Sequence, residues 1–397
     1  MTFRFAPRVS QVKPSATLAM AAQAAELRAA GKDVISLSVG EPDFGTPPHV
    51  RQAAIEAIEA GQTRYTPVDG TPELKQAVID KFRRDNSLDY RPEQILVSTG
   101  AKQSLYNLIQ ALVSEDDEVL IPAPYWVSYP DMVKLAGGAP VTLNSTADND
   151  FLITPAQLEA SINEHTRLLI LNSPSNPSGQ AYSRKQLEAL GDVLLDHPRI
   201  IICTDDIYEH IWWGDEPFCT LAEAVPALAE RTVVVNGVSK AYAMTGWRIG
   251  FAAGPAAIIK EMKKIQGQST SNPCSISQAA ATAALNGPQD SIEEMRRAFK
   301  TRHDWVVDAL NKLPGVSCRP GNGAFYAFAD FSQAMETHGF GDDIELAEHL
   351  LGNALVATVP GSAFGTPGHL RLSFACSLET LQDAVGRIAK SLQEPAS

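Results

Sequence analysis

The chain comprises 397 residues, of which 44% are hydrophobic and 20% charged, and its formal net charge is −13. That balance argues against nucleic acid or an anionic membrane as partner, although a locally basic pocket can still bind an anionic substrate. The N-terminal sequence lacks the apolar segment of a signal peptide, and no stretch resembles the ~18 apolar residues of a membrane span. We therefore expect a cytoplasmic protein with no membrane or nucleic-acid partner.

The cysteines and histidines argue against a disulfide framework and a metal. Five cysteines are spread along the chain without a C-x-x-C pair, namely Cys203, Cys219, Cys274, Cys318 and Cys376. Such an odd, dispersed set predicts reduced thiols and no cysteine zinc site, as in a cytoplasmic protein. The eight histidines contain no H-E-x-x-H or comparable pair, so we predict no catalytic metal.

The length predicts two domains, because it exceeds the ~250–300 residues at which a single core stops growing. We divide the chain into an N-terminal arm with part of the small domain (1–47), a large domain (48–288) and a small C-terminal domain (289–397). The boundary near residue 288 precedes a long helical stretch, which we interpret as a connector.

Helix signals and apolar strand-like runs alternate along most of the chain. We predict helices over 16–30, 48–60, 72–86, 102–112, 184–195, 275–286, 290–313 and 378–392, and strands over 34–39, 94–98, 118–121, 166–171, 199–204, 232–235, 249–253, 324–329 and 370–374. Ser15 is expected to cap the first helix. The alternation predicts an α/β fold, with a large domain whose mostly parallel sheet is flanked by helices and a smaller α+β domain.

The stretch VVVNGVSKAYAMTGWRIGFAAG, from Val233 to Gly254, gives the first sign of covalent chemistry. Lys240 lies on a loop between two apolar runs, where the surroundings can keep its amine unprotonated and able to form a Schiff base with a carbonyl. Arg248 follows eight residues later, a permanent cation whose planar fork suits a phosphate. Taken alone, Lys240 would more commonly be a solvated loop residue and Arg248 a structural ion-pair partner. The residues in the other loops are needed to distinguish these alternatives.

Further unusual loops follow predicted strands, at the edge where open parallel sheets bind ligands. Gly100, Ala101 and Lys102 begin a helix, whose free N–H groups offer a seat for a phosphate. The sequence contains neither G-x-G-x-x-G nor a P-loop, which argues against a dinucleotide or ATP. Asp205 ends a buried run, where an ionised carboxylate is costly unless it meets a cation or several donors. In isolation, a turn or cap residue is the more common role for it.

Three further residues gain meaning beside a Schiff-base lysine, for which a protonated pyridine nitrogen is the obvious partner of Asp205. Tyr208, three residues further on, could reach a phenolic oxygen of the same ring. Trp126, which follows a strand end, could stack on a planar ring or belong to the core. Arg371 interrupts an apolar strand, an expensive position unless the guanidinium holds a carboxylate bidentately.

Six motifs together resemble the pyridoxal-phosphate-dependent aminotransferases of fold type I, class I. The motifs are SVGEPDF from Ser38, YTPVDGTPELK from Tyr65, PAPYWVSYP from Pro122, NSPSNPSG from Asn172, TDDIYEH from Thr204 and SKAYAMTGWRIG from Ser239. The resemblance runs from Val12 to the end of the chain and points to the bacterial aspartate aminotransferase subgroup, which also contains prephenate and some aromatic aminotransferases. It implies pyridoxal 5'-phosphate as cofactor and residues 48–288 as the domain that binds it.

The resemblance implies a role for each cofactor-binding residue. Lys240 would bind the cofactor covalently and shuttle the proton, while Asp205 would hold the pyridine nitrogen protonated. Tyr208 and Asn176 would bond the phenolic oxygen, and Trp126 would stack on the ring. The phosphate would be surrounded by Gly100, Ala101, Lys102, Ser239 and Arg248, with Tyr65 reaching it from the other subunit of a homodimer.

The resemblance also implies how substrates bind. Arg371 would clamp the α-carboxylate. The other implied substrate-binding residues are Gly40 through its backbone, Trp126, Asn176 and, for the second carboxylate of a dicarboxylic substrate, Lys102 aided by Thr17 and Ser15. Gly237 departs from the pattern, because some class I members carry a phosphate-binding serine there.

These roles predict an enzyme that moves the amino group of L-aspartate to 2-oxoglutarate by a ping-pong mechanism, with the small domain closing over the substrate. Aromatic amino acids or prephenate are alternatives for the same site, since a cation placed for a side-chain carboxylate would serve prephenate too. A lyase on this fold would be distinguished by the lack of a pyridoxamine product. A ligand-sensing regulator would need a DNA-binding module. The enzyme fold takes up the 397 residues, and a net charge of −13 does not favour binding to DNA.

Overall fold

The computed structural model describes residues 3–393. In that range the strands are β1 (Ile35–Ser36), β2 (Ile95–Ser98), β3 (Glu118–Ala123), β4 (Ala139–Asn144), β5 (Thr166–Asn172), β6 (Ile201–Asp205), β7 (Thr232–Gly237), β8 (Gly250–Ala253), β9 (Ser317–Cys318), β10 (Tyr326–Asp330), β11 (Val356–Ala357), β12 (Val359–Pro360) and β13 (His369–Ser373). The α-helices are α1 (Pro7–Ser10), α2 (Ala16–Ala29), α3 (Pro48–Glu59), α4 (Pro72–Asn86), α5 (Ala101–Leu112), α6 (Ser128–Ala136), α7 (Pro155–Ser161), α8 (Arg184–Asp196), α9 (Leu221–Ala224), α10 (Ala256–Gly267), α11 (Ser275–Asn286), α12 (Asp290–Leu310), α13 (Ser332–His338), α14 (Asp343–His349) and α15 (Leu378–Ser391). None of these helices combines the length and apolar character that a membrane crossing requires.

Seven strands form the central sheet, in the order β2–β8–β7–β6–β5–β3–β4. Its neighbouring pairs are parallel except those of β8, which runs antiparallel to both β2 and β7. Apolar side chains of one face pack against α3, α4, α8 and α11, and those of the other face pack against α5, α6 and α10. The predicted mostly parallel sheet between two layers of helices is therefore confirmed.

A second sheet contains four antiparallel strands in the order β12–β13–β10–β9, and β1 pairs in parallel with β11. One apolar cluster joins Leu37 of the N-terminal segment to Phe299 and Phe374 of the C-terminal part. These contacts confirm the predicted smaller α+β unit and show why the N-terminal segment packs with it. The domain boundaries at residues 47 and 288 stay a prediction.

Two strand predictions need correction. The strand expected over 34–39 shortens to β1, because the chain then turns between two partners. The Leu37 N–H donates to the carbonyl of Ala357, while the Leu37 carbonyl accepts from the N–H of Ser373. The sequence pattern does not predict β4, because this edge strand contains Pro140 and its burial does not alternate regularly.

Two helix predictions are also corrected. The helix expected over 290–313 ends at Leu310, a few residues before Pro314, which disfavours helical backbone at the residue in front of it. Ser15 occupies the N-cap position of α2, but its side chain makes no capping hydrogen bond. The expected cap is therefore wrong, and the Ser15 side chain instead lines the cavity described below.

The direction of β8 explains how the important loops meet. Parallel strands β2, β3, β5, β6 and β7 end at the same edge of the sheet. Because β8 is antiparallel, it begins at this edge, where Gly250 pairs with Gly237 at the end of β7. The segment that joins β7 to β8, which carries Lys240 and Arg248, consequently stays at the edge where the other loops converge.

A buried polar network fixes the turn that follows β6. Glu209 forms an ion pair with Lys81 and accepts hydrogen bonds at 2.8 Å from the side-chain amides of Asn86 and Asn236. Burial by itself raises the pKa of Glu209, but the Lys81 ammonium and the other donors hold the pKa below its ordinary value. The network ties α4 and the end of β7 to the turn that carries Asp205.

The same corner gathers a group of potential metal ligands. One ligand atom each from Asp85, Glu209 and His210 lie within 4.8 Å of one another. The ammonium of Lys81, which pairs with both carboxylates, already supplies a positive charge there. We therefore interpret the group as part of the structural network.

Candidate active site

A cavity of about 300 Å³ opens at the carboxyl edge of the central sheet. It is lined by residues from the sheet loops, from the N-terminal segment and from β10 and β13 of the smaller sheet. The predicted residues among its lining are Ser15, Thr17, Gly40, Ala101, Lys102, Trp126, Asn176, Asp205, Tyr208, Ser239, Lys240, Arg248 and Arg371. Side chains that are far apart in the chain thus share one site.

Lys240 occupies the loop after β7, where its Nζ donates a hydrogen bond of 2.6 Å to the carbonyl of Gly40. Burial lowers the pKa of Lys240 to about 8, and nearby Arg371 and Arg248 contribute in the same direction against Glu41 and Asp205. An amine with this pKa is partly unprotonated near neutral pH. It can therefore act as a nucleophile or as a proton acceptor.

Asp205, at the end of β6, is buried with few polar partners. Its Oδ2 accepts a hydrogen bond of 2.7 Å from the hydroxyl of Tyr129, and its Oδ1 accepts a weak one of 3.4 Å from the Ile207 N–H. Burial raises the pKa of Asp205 to about 6, despite these donors and the charge of Lys240. Within residues 3–393, no lysine, arginine or histidine forms a salt bridge with it. The site thus has room for a cationic partner.

Replacing Asp205 with asparagine is expected to stabilise the cofactor-free protein at neutral pH. The folded chain binds the Asp205 proton more tightly than the unfolded chain, because the pKa rises from 3.8 to about 6. The free energy of unfolding therefore falls as the pH rises from about 4 to about 6, because the unfolded chain loses this proton in that range while the buried carboxyl group still holds it. In urea unfolding, Asp205→Asn should gain ~2–3 kcal/mol at pH 7 and nothing below about pH 4.

The matched control is Asp192→Asn on the exposed face of α8, which should unfold like the parent at both pH values. If Asp205→Asn has the same or lower stability than the parent at pH 7, an uncompensated carboxylate at this position is ruled out.

The start of α5 and Arg248 form an anion seat. Gly100 precedes the helix with φ +83°, and a Cβ there would collide with the Arg248 guanidinium. Only glycine lets the guanidinium lie against the helix start, where the N–H groups of Ala101 and Lys102 point outward. Ser239 is buried beside this region in the cavity wall. Helix N–H groups next to a guanidinium suit a phosphate.

The position three residues before Lys240 is tightly packed, so that a serine there would require its neighbours to shift. A Cβ on Gly237 would lie 3.0 Å from the Cα of Gly250 and 3.0 Å from the carbonyl oxygen of Ile249. The missing side chain of Gly237 lets β7 and β8 approach closely at the edge of the sheet, while Gly250 leaves space for the start of α5. The departure noted in the sequence is therefore part of the local packing.

Arg371 in β13 is only 1% exposed. Its Nη1 donates to Oδ1 of Asn176 at 2.9 Å and its Nη2 donates to the carbonyl of Ser38 at 2.6 Å, but its buried Nε has no partner. Rings of Tyr326 and Phe364 lie 4.6 and 5.0 Å from the guanidinium carbon. No carboxylate of the described residues pairs with this buried cation. The carboxylate of a small ligand would provide the missing negative charge.

Lys102 provides a further cation in the same cavity. Its Nζ lies 4.7 Å from the centroid of the Trp126 ring. The surrounding protein and then the Arg248 charge lower the pKa of Lys102, although the residue stays open to solvent. Ser15 and Thr17 line the same cavity. Their hydroxyls and the ammonium offer donors to a second anionic group.

Tyr65 lies outside the cavity. It is 93% exposed and lines a separate surface depression together with Gln62 and Ser275. The single chain therefore does not bring Tyr65 to the anion seat. Its expected contact with the partner subunit's cofactor stays a prediction.

Two tyrosines line the cavity that the sequence does not single out. Tyr129 belongs to the PAPYWVSYP motif and reaches Asp205 across the sheet, whereas Tyr326 contacts the hydroxyl of Tyr208 at 2.7 Å. Both are polar side chains within buried elements, as Arg371 is. That feature, together with the motif for Tyr129, is the sequence signal that would have selected them.

Comparison with known proteins places the chain in a family. Residues 32–388 match the family model of aminotransferase class I and II. An aspartate/prephenate aminotransferase from Nitrosomonas europaea is 53% identical, over 98% of this chain and 100% of the relative, and an aspartate aminotransferase from Bacillus subtilis is 48% identical, over 98% and 99%. The crystal structure of an aspartate aminotransferase from Rhizobium meliloti has a TM-score of 0.94 at 47% identity, with 99% of both chains covered.

The fold and the site define an enzyme that transfers amino groups with the help of pyridoxal phosphate. The chain belongs to the class I and II aminotransferases, and its architecture is the fold type I of pyridoxal-phosphate enzymes. The predictions of family, fold, cofactor and enzyme class are therefore confirmed. Its substrates are amino acids and 2-oxo acids.

Proposed function

We propose that the protein transfers the amino group of L-aspartate to 2-oxoglutarate by a ping-pong mechanism. The observation that carries this proposal is the set of cations in one cavity. Arg248, Arg371 and Lys102 line it, and none forms a salt bridge within the described range. A phosphorylated cofactor and a dicarboxylic substrate would supply three anionic groups to match them.

The pyridoxal phosphate group fits the residues present. The start of α5 and Arg248 would hold its phosphate, where Gly100 leaves the necessary space. Asp205, which has no cationic partner of its own, would face the ring nitrogen, and Tyr208 with Asn176 would lie at the phenolic oxygen. Lys240 would bind the aldehyde. When bound, the group supplies an electron-withdrawing ring that stabilises negative charge at the α-carbon of the amino acid.

The side chains would then do the remaining work. Arg371 orients the α-carboxylate with its paired N–H groups, which fixes the α-carbon relative to Lys240. Once the incoming amino acid has displaced it, the Lys240 amine, with a pKa of about 8, would take the α-proton and deliver it to the cofactor carbon that had carried the aldehyde. Asp205 keeps the ring nitrogen protonated by its negative charge. Trp126, which lines the cavity, would stack on the ring of the cofactor.

The relatives support a dicarboxylic substrate. The matched proteins from Nitrosomonas europaea and Bacillus subtilis carry aspartate in their names, and a Thermus thermophilus aspartate aminotransferase with a TM-score of 0.93 and 41% identity was crystallised with maleate. Prephenate is a second candidate, because the Nitrosomonas relative is also named for it. Apolar Leu18, Leu105 and Val127 line the same cavity as Lys102 and could accommodate a ring.

We propose that the protein is a homodimer, and the position of Tyr65 supports this. Its side chain is exposed, yet the loop is held by Gln278, which accepts from the Thr71 N–H at 2.8 Å and donates to the Thr66 hydroxyl at 3.0 Å. We propose that this loop presents Tyr65 to the cofactor phosphate of the partner subunit.

The five unpaired cysteines are consistent with a reducing compartment, and we place the enzyme in the cytoplasm.

Replacing Lys102 with alanine tests the substrate proposal. Removing one charged hydrogen-bond donor should lower kcat/KM for aspartate at least about tenfold, and that for phenylalanine less than about threefold. Steady-state kinetics with 2-oxoglutarate as acceptor measures both, with Lys134→Ala, whose side chain lies on the solvent-facing side of α6, as the control. Equal losses for the two amino acids would remove Lys102 from recognition of the second carboxylate.

A further inference from the structure

Tyr326, the first residue of β10, contacts several groups of the site at once. Its Oη lies 2.7 Å from Oη of Tyr208, and its ring lies 4.6 Å from the guanidinium carbon of Arg371. A Cβ on Gly40 would collide with the Tyr326 hydroxyl, and the Gly40 carbonyl accepts the hydrogen bond of Lys240. One buried side chain therefore borders the groups assigned to the cofactor, the substrate and the base.

The ring of Tyr326 constrains Arg371. Tyr326 and Phe364 both present rings to the guanidinium, at 4.6 and 5.0 Å. Because no carboxylate of the described chain holds this guanidinium, its plane depends on the rings and on hydrogen bonds to Asn176 and Ser38. Aromatic contacts of this kind stabilise a desolvated cation and fix its orientation. The fork is thereby set before a carboxylate arrives.

The hydroxyl of Tyr326 constrains the proton of Tyr208. Burial raises the pKa of both phenols, so both carry protons at neutral pH. Each hydroxyl has one proton, and only one proton can lie between the two oxygens. If Tyr326 donates, the proton of Tyr208 is free to point into the cavity, and its donor strength increases through cooperativity. If Tyr208 donated instead, it would have no proton left for another acceptor.

We propose that Tyr326 is a positioning residue whose hydroxyl donates to Tyr208, so that the Tyr208 proton is directed at the cofactor, and whose ring holds the Arg371 fork. This inference rests on the proposed function, in which Tyr208 bonds the phenolic oxygen and Arg371 binds the α-carboxylate. In this inference the hydroxyl of Tyr326 orients the Tyr208 proton, and the ring of Tyr326 holds the Arg371 guanidinium. The hydroxyl and the ring can therefore be removed one at a time.

The first test removes only the hydroxyl. In holoenzyme with Tyr326→Phe, the weaker hydrogen bond from Tyr208 leaves more negative charge on the phenolic oxygen, which favours protonation of the nitrogen that joins Lys240 to the cofactor. Spectrophotometric titration of the cofactor band should show a pKa raised by about 0.3–1 unit. Tyr208→Phe should raise it further, and Tyr326→Phe should add nothing when Tyr208 is already phenylalanine.

The second test removes the ring. Tyr326→Leu should weaken binding of maleate to the holoenzyme about 3–30-fold, whereas Tyr326→Phe should change it less than about twofold. The control is Tyr242→Phe, a buried tyrosine outside the cavity that bonds Gln289, which should leave both the titration and maleate binding unchanged.

The outcomes separate this inference from the proposed function. Purified wild-type protein that shows no cofactor band after incubation with pyridoxal phosphate, or whose band does not respond to maleate, would contradict the proposed function itself. A normal wild-type response combined with an unshifted titration in Tyr326→Phe would overturn the positioning role alone. So would a shift of equal size with and without Tyr208, because Tyr326 would then act independently of it. The phenylalanine variant keeps the ring packing, so the titration stays decisive even if the leucine variant does not fold.

Discussion

Lys240→Ala is expected to lower turnover at least about 10⁴-fold, because the same amine binds the cofactor and moves the proton. The variant should remain folded, because removal of the Lys240 side chain breaks one hydrogen bond, to the Gly40 carbonyl. It also removes the cost of burying an amine, which is the cost that lowers the pKa of Lys240 to about 8. Steady-state transamination assays and circular dichroism of the purified variant measure the two expectations.

The matched control for this variant is Lys264→Ala on the surface of α10, where the lysine pairs with Glu261. It should retain activity within about twofold of the parent. Appreciable multiple-turnover activity in Lys240→Ala would show that another group performs the chemistry, and the assignment of this lysine would have to be abandoned.

Arg371→Met is expected to separate activity from stability. The loss of two charge-assisted hydrogen bonds to a substrate carboxylate should lower kcat/KM about 10²–10⁴-fold for aspartate and phenylalanine alike. The substrate-free protein should lose little stability, because methionine avoids the cost of burying a guanidinium without a carboxylate partner in residues 3–393. This gain offsets the loss of the hydrogen bonds to Asn176 and the Ser38 carbonyl.

Kinetics with both amino acids and urea unfolding of the substrate-free protein provide these values. Arg297→Met, on the exposed side of α12 next to Glu293, serves as the control and should affect neither. A clear loss of stability with little loss of kcat/KM would identify Arg371 as a structural residue instead of a substrate ligand.

Several parts of the site could be predicted from the sequence because they violate the pattern around them. Asp205 and Arg371 place charges in strands that consist mainly of buried residues, and both are themselves buried in the structure. Lys240 lies between two buried strands, as its flanking residues predicted. Such residues carry an energetic cost that the sequence alone makes visible. The mostly parallel arrangement of the sheet followed equally from the alternation of strands and helices.

Other parts depend on which strands become neighbours. The apolar run of β8 predicts a strand but not its direction, and only the antiparallel pairing brings Arg248 to the ligand edge. Tyr129 is 76 residues from Asp205 in the chain and Tyr326 is 118 residues from Tyr208. A local sequence pattern cannot pair residues that are so far apart along the chain. The hydrogen bonds between these side chains are therefore visible only in the folded structure.

Ser15 shows a different limit of the sequence. Its position directly before α2 is typical of a capping residue, yet its side chain makes no capping bond and faces the cavity instead. A serine that begins a helix next to a ligand site can serve either purpose, and the local sequence is the same in both cases. Tertiary structure decides between them.

The most direct measurement is the visible absorption spectrum of the purified protein before and after the addition of L-aspartate without any 2-oxo acid. The proposed function predicts a band of lysine-bound cofactor that aspartate converts to the spectrum of the pyridoxamine form, since the first half-reaction needs no acceptor. A band that aspartate leaves unchanged would contradict aspartate as the amino donor, and aromatic amino acids would then be the next candidates.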